Sequence, residues 1–299
     1  MRIFVTGGTG FIGRHLIPLL YKAGHNLLLL EHKTKRSAIS SSDDIQWLEG
    51  NLAELEKYRN ELEQFKPQGL IHLAWEGLPD YSFKTSQKNF QYTLHLFNLV
   101  AELGCTTILS TGTCWEYREN HGKVDENGLL EANNSFAALK NAIRYYGGAL
   151  AKDRGLRFYW PRLFYVYGPG QRKESLIPHI IESFMAGSTP DIRTPQNRND
   201  FVYVGDVARA LVALIEKKPK HSVYNVGSGQ STSVQDALKM TQSILKVEPS
   251  LLSAAYEKDV TGANLYADIT RITSFAGWQP LVELVEGITK TIKHYEREG

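Results

Sequence analysis

The segment Thr6-Gly7-Gly8-Thr9-Gly10-Phe11-Ile12-Gly13 decides the fold of this chain of 299 residues. It follows an apolar run, Arg2–Thr6, and opens a stretch with apolar residues at helical spacing, Phe11–Ala23. In a strand–loop–helix unit, Gly7 permits a tight turn, Gly10 lets the backbone approach a pyrophosphate, and Gly13 lets helix and strand pack closely. The pattern therefore predicts a phosphate-binding loop, because the helix N-terminus offers unpaired N–H groups and a positive dipole end.

An acidic residue at the end of the next apolar run narrows the choice of ligand. Glu31 stands eighteen residues after Gly13. An acidic side chain at this place can accept both ribose hydroxyls of NAD and repels the 2′-phosphate of NADP. Because Lys33, Lys35 and Arg36 follow closely, the pattern favours NAD and leaves NADP open.

Short apolar runs alternate with helical periodicity through the first half of the chain. Further strands are predicted at Asn26–Leu30, Ile45–Leu48, Gly69–Ala74, Thr106–Ser110 and Arg157–Leu163. Further helices are predicted at Leu52–Phe65, Asn89–Glu102 and Phe136–Asp153. Such alternation requires crossover connections, so we predict an α/β fold with a doubly wound parallel sheet of the Rossmann type, covered on both faces.

The pattern changes after Gly168-Pro169-Gly170, where polar loops join helical segments and strand-like runs are fewer. The helical segments are Ser175–Ala186, Asp206–Lys217, Ser233–Leu245 and Leu281–Glu298. We therefore predict a dinucleotide-binding domain over residues 1–165, with a return segment near 205–225. Residues 166–299 are predicted to form a smaller C-terminal lobe that binds the substrate.

The composition predicts a globular protein of the cytoplasm. Hydrophobic residues make up 42% and charged residues 22%, which is enough apolar surface for a large core. The net charge of +2 gives no reason to expect nucleic acid or an anionic membrane as a partner. The two cysteines, Cys105 and Cys114, predict neither a disulfide framework nor a zinc site, and the nine histidines lack the spacing of metal ligands.

Several further motifs occur in the order and spacing of one known family. They are Ile71-His72-Leu73-Ala74, the helix that carries Asn89, Tyr167-Gly168-Pro169-Gly170-Gln171, Asp200-Phe201-Val202-Tyr203-Val204-Gly205-Asp206-Val207 and Asn225-Val226-Gly227-Ser228-Gly229. From residue 1 to about residue 285 the chain resembles the extended short-chain dehydrogenase/reductases, the NAD-dependent epimerase/dehydratase family that acts on nucleotide sugars. Gly112–Tyr117 and Arg162–Tyr165 are most similar to reductases of nucleotide-linked 4-keto-6-deoxy sugars.

The resemblance implies a role for each matched position. The residues implied to contact the dinucleotide are Gly7, Gly10, Phe11 and Ile12 at the phosphates, Glu31 at the adenosine ribose, Asn51 and Leu52 beside the adenine, and Leu73 and Ala74 beside the nicotinamide ribose. It also implies a nucleotide-diphosphate sugar as substrate and a homodimer, in which Asn89–Glu102 and Phe136–Asp153 form a four-helix seam.

The catalytic centre departs from the family at one position. The family carries a tyrosine and a lysine four residues apart, on one face of a helix. The lysine lowers the pKa of the tyrosine, which exchanges a proton with the sugar oxygen, and it also binds the nicotinamide ribose. Here Lys140 is present, but Phe136 occupies the tyrosine position. The family's serine or threonine falls on Gly112, so that Thr113, or Thr111 on the other side, is the candidate hydroxyl.

Phe136 leaves three explanations open. It is an engineered replacement of tyrosine, or a natural residue accompanied by another donor, or the mark of a protein that binds ligands without catalysis. The donors considered are Thr113, Tyr117, Tyr165 and an ordered water. Epimerases and dehydratases of the family use the same cofactor site; a dehydratase is less favoured because no Asp-Glu pair lies beside Thr113.

The substrate side also departs from the family pattern. The arginine that often precedes Asp-Phe and binds the diphosphate is replaced by Asn199, with Arg198 one residue earlier. Arg172 is a further candidate for the diphosphate, and Tyr165 replaces an asparagine that some relatives use near the sugar. His72, at the end of an apolar run, is predicted to pack in the sheet rather than to catalyse.

Overall fold

The computed structural model describes residues 1–31, 45–119, 121–248 and 262–298. The strands are β1 (Arg2–Thr6), β2 (Asn26–Glu31), β3 (Ile45–Glu49), β4 (Gly69–His72), β5 (Thr107–Ser110), β6 (Gly112–Thr113), β7 (His121–Val124), β8 (Arg157–Leu163), β9 (Tyr165–Tyr167), β10 (Arg198–Asn199), β11 (Phe201–Tyr203), β12 (Val223–Val226), β13 (Thr232–Ser233) and β14 (Asn264–Ala267). The α-helices are α1 (Gly13–Lys22), α2 (Arg59–Phe65), α3 (Phe83–Glu102), α4 (Ser135–Arg154), α5 (Leu176–Met185), α6 (Val204–Lys217), α7 (Val234–Leu245), α8 (Thr270–Ala276) and α9 (Leu284–Glu298).

The larger sheet has the order β12-β8-β5-β4-β1-β2-β3, with β6 paired to β8, and its strand pairs are parallel. This confirms the predicted α/β fold with a doubly wound parallel sheet. The chain starts in the middle at β1 and then runs outward in both directions. Ligands of such sheets bind beyond the carboxyl ends of the strands where the order reverses. Thr6, at the end of β1, lies between Leu30 and His72 at this point of the sheet.

Helices cover both faces of the larger sheet, because successive side chains of each strand point to opposite faces. Ile3 and Val5 of β1 pack in one apolar cluster with residues of α1 and α6. Phe4, between them, packs in a second cluster that includes Phe97 of α3 and Ile143 of α4. Since all of these side chains are buried, β1 is a core strand on both faces.

The smaller lobe contains a four-stranded sheet, β13-β10-β14-β7, a two-stranded sheet, β11-β9, and helices α5, α7 and α9. Strand β7 comes from the first half of the chain, so this lobe also uses residues before 166. Helix α6 packs on α1, and β12 pairs with β8 in the larger sheet. The domain division at residues 165 and 166 itself stays a prediction. In the described ranges we find no helix with the length and apolar character of a bilayer span.

Two helices differ most from the sequence-based prediction. Leu52–Phe65 is not one helix: a 3₁₀-helix over Leu52–Tyr58 precedes α2, and Glu54 breaks the regular backbone with φ −122°. Helix α3 begins six residues earlier than predicted, at Phe83. The side chain of Ser82 accepts a hydrogen bond from the backbone N–H of Thr85 at 3.3 Å and so caps this helix.

Candidate active site

The glycine-rich loop turns sharply between β1 and α1. Gly7 has φ +76°, and a Cβ atom there would lie 2.7 Å from the backbone nitrogen of Ala74. A Cβ atom on Gly13 would lie 2.2 Å from the carbonyl oxygen of Gly7. Gly13 thus lets the helix approach the loop itself, whereas the sequence suggested that it approaches the strand. At Gly10 such an atom would meet only the oxygen of Gly7, at 3.2 Å, so the space above the loop is open.

A cavity of about 380 Å³, which we call the loop cavity, lies above these glycines. Residues that line it include Gly7, Gly10, Phe11, Ile12, Gly13, Leu30, Asn51, Leu52, Leu73, Ala74 and Trp75. The N-terminus of α1 has no side-chain cap. The backbone N–H groups of Arg14 and His15 donate to the oxygens of Gly10 and Ile12 at 3.0 and 3.1 Å. Those of Phe11, Ile12 and Gly13 have no backbone partner among the described residues and are available to an anion. The open glycine cradle and the uncapped helix fit the diphosphate of a dinucleotide.

Of the residues predicted to contact the adenosine part of the dinucleotide, Glu31 and Asn51 lie in different places relative to the loop cavity. Glu31 ends β2 next to Leu30, but it is buried and does not line the loop cavity. Asn51 does line it. Its side chain accepts a hydrogen bond from the backbone N–H of Ala53 at 2.9 Å and donates one to Glu54 at 2.9 Å. The amide of Asn51 is therefore used to cap the 3₁₀-helix. Lys33, Lys35 and Arg36, the side chains that left NADP open, lie outside the described residues.

The loop cavity continues into a second space of about 440 Å³, which we call the central cleft. Phe11, Ile12, Leu73, Trp75 and Leu78 line both. The central cleft adds most of the predicted catalytic and substrate residues, namely Thr111, Thr113, Phe136, Lys140, Tyr165 and Arg172. The structure therefore brings together residues that lie far apart in the sequence.

Helix α4 positions Phe136 and Lys140. Asn134 caps the helix by accepting a hydrogen bond from the backbone N–H of Ala137 at 2.9 Å. Phe136 thus lies in the first turn and Lys140 one turn later, and the Lys140 ammonium lies 5.7 Å from the centre of the Phe136 ring. The spacing expected of the family is preserved, but the first side chain carries no proton to exchange.

Lys140 is buried, and its ammonium is held by a carbonyl and an aromatic face. Its Nζ donates a hydrogen bond to the backbone oxygen of Thr111 at 2.8 Å and lies 4.3 Å from the centre of the Trp75 ring. Burial lowers the pKa of Lys140 to about 8, although the charge of Glu116 opposes this shift.

Three aromatic side chains, those of Trp75, Tyr81 and Trp115, surround Phe136. The Phe136 ring centre lies 5.0 Å from that of Trp75, 5.2 Å from that of Tyr81 and 6.0 Å from that of Trp115. The indole Nε1 of Trp75 is buried and has no hydrogen-bond partner among the described residues. Since Trp75 lines both the loop cavity and the central cleft, this N–H is available to a ligand that spans them.

The structure separates Gly112 from Thr113 as candidates for the family's hydroxyl position. A Cβ atom on Gly112 would lie 2.3 Å from both Oε1 of Glu116 and Nε1 of Trp160. No larger side chain fits there, so Thr113 and Thr111 stay the candidates for this hydroxyl. Thr113 lines the central cleft and its Oγ1 accepts a hydrogen bond from the backbone N–H of Trp115 at 3.3 Å. Thr111 also lines the cleft, and its backbone oxygen holds Lys140.

A buried ion pair supports the Thr113 loop. Glu116 and Arg162 have side chains 0% and 1% exposed, and Nε of Arg162 lies 2.8 Å from Oε2 of Glu116. The carboxylate also accepts hydrogen bonds from the backbone N–H of Thr113 at 2.9 Å and from Nε1 of Trp160 at 2.9 Å. Arg162 in turn donates to the hydroxyl of Tyr117 at 2.9 Å. No local sequence pattern indicates this network, because its members are far apart in the chain.

The predicted substrate residues lie in two adjoining spaces. Tyr165 lines the central cleft and also a side cavity of about 280 Å³. Arg198 and Asn199 line only the side cavity, whereas Arg172 lines only the central cleft. The guanidinium of Arg198 donates to the side chain and the backbone oxygen of Ser231 at 3.0 and 2.6 Å. The hydrogen bonds to Ser231 therefore fix the orientation of the Arg198 side chain.

His72 lies in the core of the larger sheet. Its ring nitrogens are 2.6 Å from Oγ1 of Thr6 and 3.0 Å from Oγ1 of Thr93. Burial, together with the positive charge of Lys140, lowers the pKa of His72 to about 3, so the imidazole is neutral. Its contacts are those of a packed residue, as the sequence suggested.

Comparison with known proteins identifies the class to which this fold and this site belong. The model of the NAD dependent epimerase/dehydratase family matches residues 3–227, which is more than half of the chain. The chain therefore belongs to this family, and the resemblance inferred from the motifs is confirmed.

Individual relatives share about a quarter of their residues with the chain. The dTDP-4-dehydro-6-deoxyglucose reductase of Escherichia coli is 26% identical, over 97% of this chain and 96% of the relative. The CDP-abequose synthase of Salmonella typhimurium is 25% identical, over 97% of each. Among solved structures, MoeE5 in complex with UDP-glucose and NAD is 26% identical, with a TM-score of 0.86 over 100% of this chain and 99% of that chain.

Proposed function

We propose that this protein is an NAD(P)-dependent reductase of a nucleotide-diphosphate 4-keto-6-deoxyhexose. The observation that carries the proposal is the continuity between the loop cavity and the central cleft, where Lys140 and Thr113 lie. A dinucleotide along the loop would end beside a sugar held in the cleft. The similarity to a dTDP-4-dehydro-6-deoxyglucose reductase over almost the full length supports the same reaction class.

Each cofactor contact is assigned to residues of this chain. The glycine loop and the N–H groups of Phe11 and Ile12 hold the diphosphate, and Lys140 orders the nicotinamide ribose. The buried indole N–H of Trp75 offers a further donor along the same path. When bound, the reduced dinucleotide supplies a hydride, with two electrons, to the carbonyl carbon of the sugar. We favour NAD over NADP because the chain belongs to an NAD-dependent family; Glu31 ends β2 as expected, but it does not line the loop cavity.

The substrate is oriented from both lobes. Thr113 donates its hydroxyl hydrogen bond to the keto oxygen and so stabilises the negative charge that develops there. Arg172 lines the central cleft and Arg198 lines the side cavity. We assign both guanidinium groups to the diphosphate of the substrate. Tyr165 lies between these two spaces and contacts the sugar.

Acid–base groups near Thr113 favour a reductase over a dehydratase, which would need an added acid–base pair beside the threonine. Cys114 follows Thr113, and burial raises the pKa of its thiol, so the thiol stays protonated. Glu116, the nearby carboxylate, is fully buried and bound by Arg162. Neither side chain is free to move protons on a substrate.

A second candidate function follows from Phe136. Without a phenol at this position, a protein that binds the dinucleotide and the sugar nucleotide but does not catalyse is the alternative. An epimerase of the same family is a further outcome, and it would interconvert sugars without net oxidation of cofactor. We also infer a homodimer through α3 and α4, as the family resemblance implies, and a location in the cytoplasm.

The deciding experiment follows the absorbance of NADH and NADPH with a panel of nucleotide-linked 4-keto-6-deoxyhexoses. The chain and its Phe136→Tyr variant are compared side by side, and cofactor binding is measured separately by fluorescence. Oxidation that is stoichiometric with a reduced sugar supports the reductase. Binding by both proteins without turnover would point to the silent binding protein, and sugar conversion without net oxidation would point to the epimerase.

A further inference from the structure

Residue 136 carries no phenol, but the phenol of Tyr81 lies next to the Phe136 ring. Tyr81 is in the loop between β4 and α3, and its ring centre is 5.2 Å from that of Phe136, with the planes at 70°. It is also 5.2 Å from the ring of Trp115. Tyr81 lines the central cleft together with Lys140 and Thr113. Its hydroxyl has no hydrogen-bond partner in the part of the chain that the structure describes.

The loop that carries Tyr81 is fixed by hydrogen bonds on both sides of the residue. On one side, Asp80 accepts from the backbone N–H of Ser82 at 2.8 Å, from the hydroxyl of Ser82 at 3.0 Å and from the hydroxyl of Thr85. On the other, buried Asn89 accepts from the backbone N–H of Glu76 at 2.8 Å and donates to its oxygen at 2.9 Å. Helix α3 therefore holds the loop in place, and Tyr81 with it.

Other hydroxyl groups near the cleft are less suited to donate a proton. Tyr117 is buried, donates to Asn225 at 2.6 Å and accepts from Arg162, so its hydroxyl is committed. Tyr165 lines the cleft, but burial raises the pKa of its phenol to about 12, which makes it a weaker acid. Thr113 carries an alcohol, and its oxygen already accepts from the backbone N–H of Trp115.

We propose that Tyr81 is the general acid of the reaction, in the place of the tyrosine that the family carries at position 136. The inference rests on the proposed reductase function. The Oη–H bond of Tyr81 breaks as its proton passes to the keto oxygen, and a new O–H bond forms on the sugar. The phenolate of Tyr81 then regains a proton from solvent water. The two electrons that reduce the carbonyl come with the hydride, so charge and atoms balance.

Tyr81→Phe removes one oxygen atom and leaves the ring contacts with Phe136 and Trp115. We expect kcat to fall on the order of 100-fold, the loss typical of a missing general acid, with little change in KM or in NADH binding. The double variant Tyr81→Phe/Phe136→Tyr, which puts the phenol where the family has it, should recover most of this loss. A purely structural role of Tyr81 predicts no such recovery.

Two single variants complete the test. Tyr21→Phe, on the exposed face of α1, should retain the wild-type kcat, and Tyr165→Phe should lose less than Tyr81→Phe. If the wild type turns over and Tyr81→Phe has the same kcat, the role of Tyr81 is wrong, but the reductase proposal is not affected. Turnover only in proteins that carry Phe136→Tyr would likewise exclude Tyr81. If no variant oxidises cofactor with any sugar of the panel, the reductase proposal and the role of Tyr81 are both wrong.

Discussion

Replacing Arg162 by methionine should destabilise the protein severely, because it leaves a buried carboxylate without its counter-charge. Glu116 is 0% exposed and cannot reach water in the native fold. It would keep its hydrogen bonds from Thr113 and Trp160, but the guanidinium at 2.8 Å would be lost. Removal of one partner of a buried ion pair typically costs about 3–5 kcal/mol of the free energy of unfolding. The Tyr117 hydroxyl would also lose the donor that lies 2.9 Å away.

A matched surface pair provides the control. Arg118 lies 3.2 Å from Glu131, with side chains 61% and 54% exposed, so Arg118→Met should cost no more than about 1 kcal/mol. Both variants are unfolded in guanidinium chloride and followed by far-ultraviolet circular dichroism, so that a change in free energy is separated from a change in slope. The double variant Glu116→Leu/Arg162→Met should be more stable than Arg162→Met alone. A loss for Arg162→Met as small as that for Arg118→Met would refute the reasoning.

Further variants test the loop, the hydroxyl, the lysine and the helix seam. Gly13→Ala should cost about 1–3 kcal/mol of unfolding free energy and weaken dinucleotide binding, because its Cβ would lie 2.2 Å from a carbonyl oxygen. The control Gly148→Ala, whose Cβ would meet nothing within 4 Å, should stabilise by about 1 kcal/mol. Thr113→Val should lower kcat on the order of 100-fold and Thr113→Ser should restore it, whereas equal rates would rule out a polarising role. Burial lowers the pKa of Lys140 from 10.5 to about 8, so the unfolded chain binds more protons than the folded one between these pH values. As the pH rises over that range, the unfolding free energy of the wild type should therefore increase by up to about 3 kcal/mol relative to that of Lys140→Met. If the difference in unfolding free energy between the two proteins stays the same at every pH, this expectation is wrong. Tyr145 lies on α4 and is 63% exposed in the single chain. The substitution Tyr145→Asp should convert the dimer to monomers, as measured by light scattering. A dimer that persists would show that the interface does not include this residue.

The parts of the site that could be predicted from the sequence are those set by local geometry. The loop from Gly7 to Gly13 was predictable because a strand, a tight turn and a helix follow each other directly. Gly7 and Gly13 stand where a Cβ atom would clash with nearby backbone. The relation of Phe136 to Lys140 was predictable for the same reason, since residues four apart on a helix share one face. The parallel direction of the strands in the larger sheet followed from the alternation of strands and helices.

Contacts between distant segments could not be predicted in this way. Glu116 and Arg162 are both charged, and nothing in their local sequence indicates that the fold buries them against each other. Tyr81 gave one usable signal, which is its position immediately before the Ser82 cap of α3. In a doubly wound sheet, the loop after β4 emerges at the edge where ligands bind, so a phenol there is a candidate for the site.

The change from a phenol to a phenyl ring at residue 136 alters what Lys140 can do. In the family pattern the ammonium stabilises a phenolate on the same helix face, and so lowers its pKa. Here the nearest groups around Nζ are the oxygen of Thr111 and the face of Trp75, neither of which titrates. In the proposed function Lys140 binds the nicotinamide ribose, but it has no acid to tune on its own helix. In the proposed reaction the proton donor and the lysine lie on different elements: Tyr81 is in the loop before α3, and Lys140 is on α4. Substitutions at these two residues should then act on different steps: Lys140 on cofactor binding, and Tyr81 on kcat.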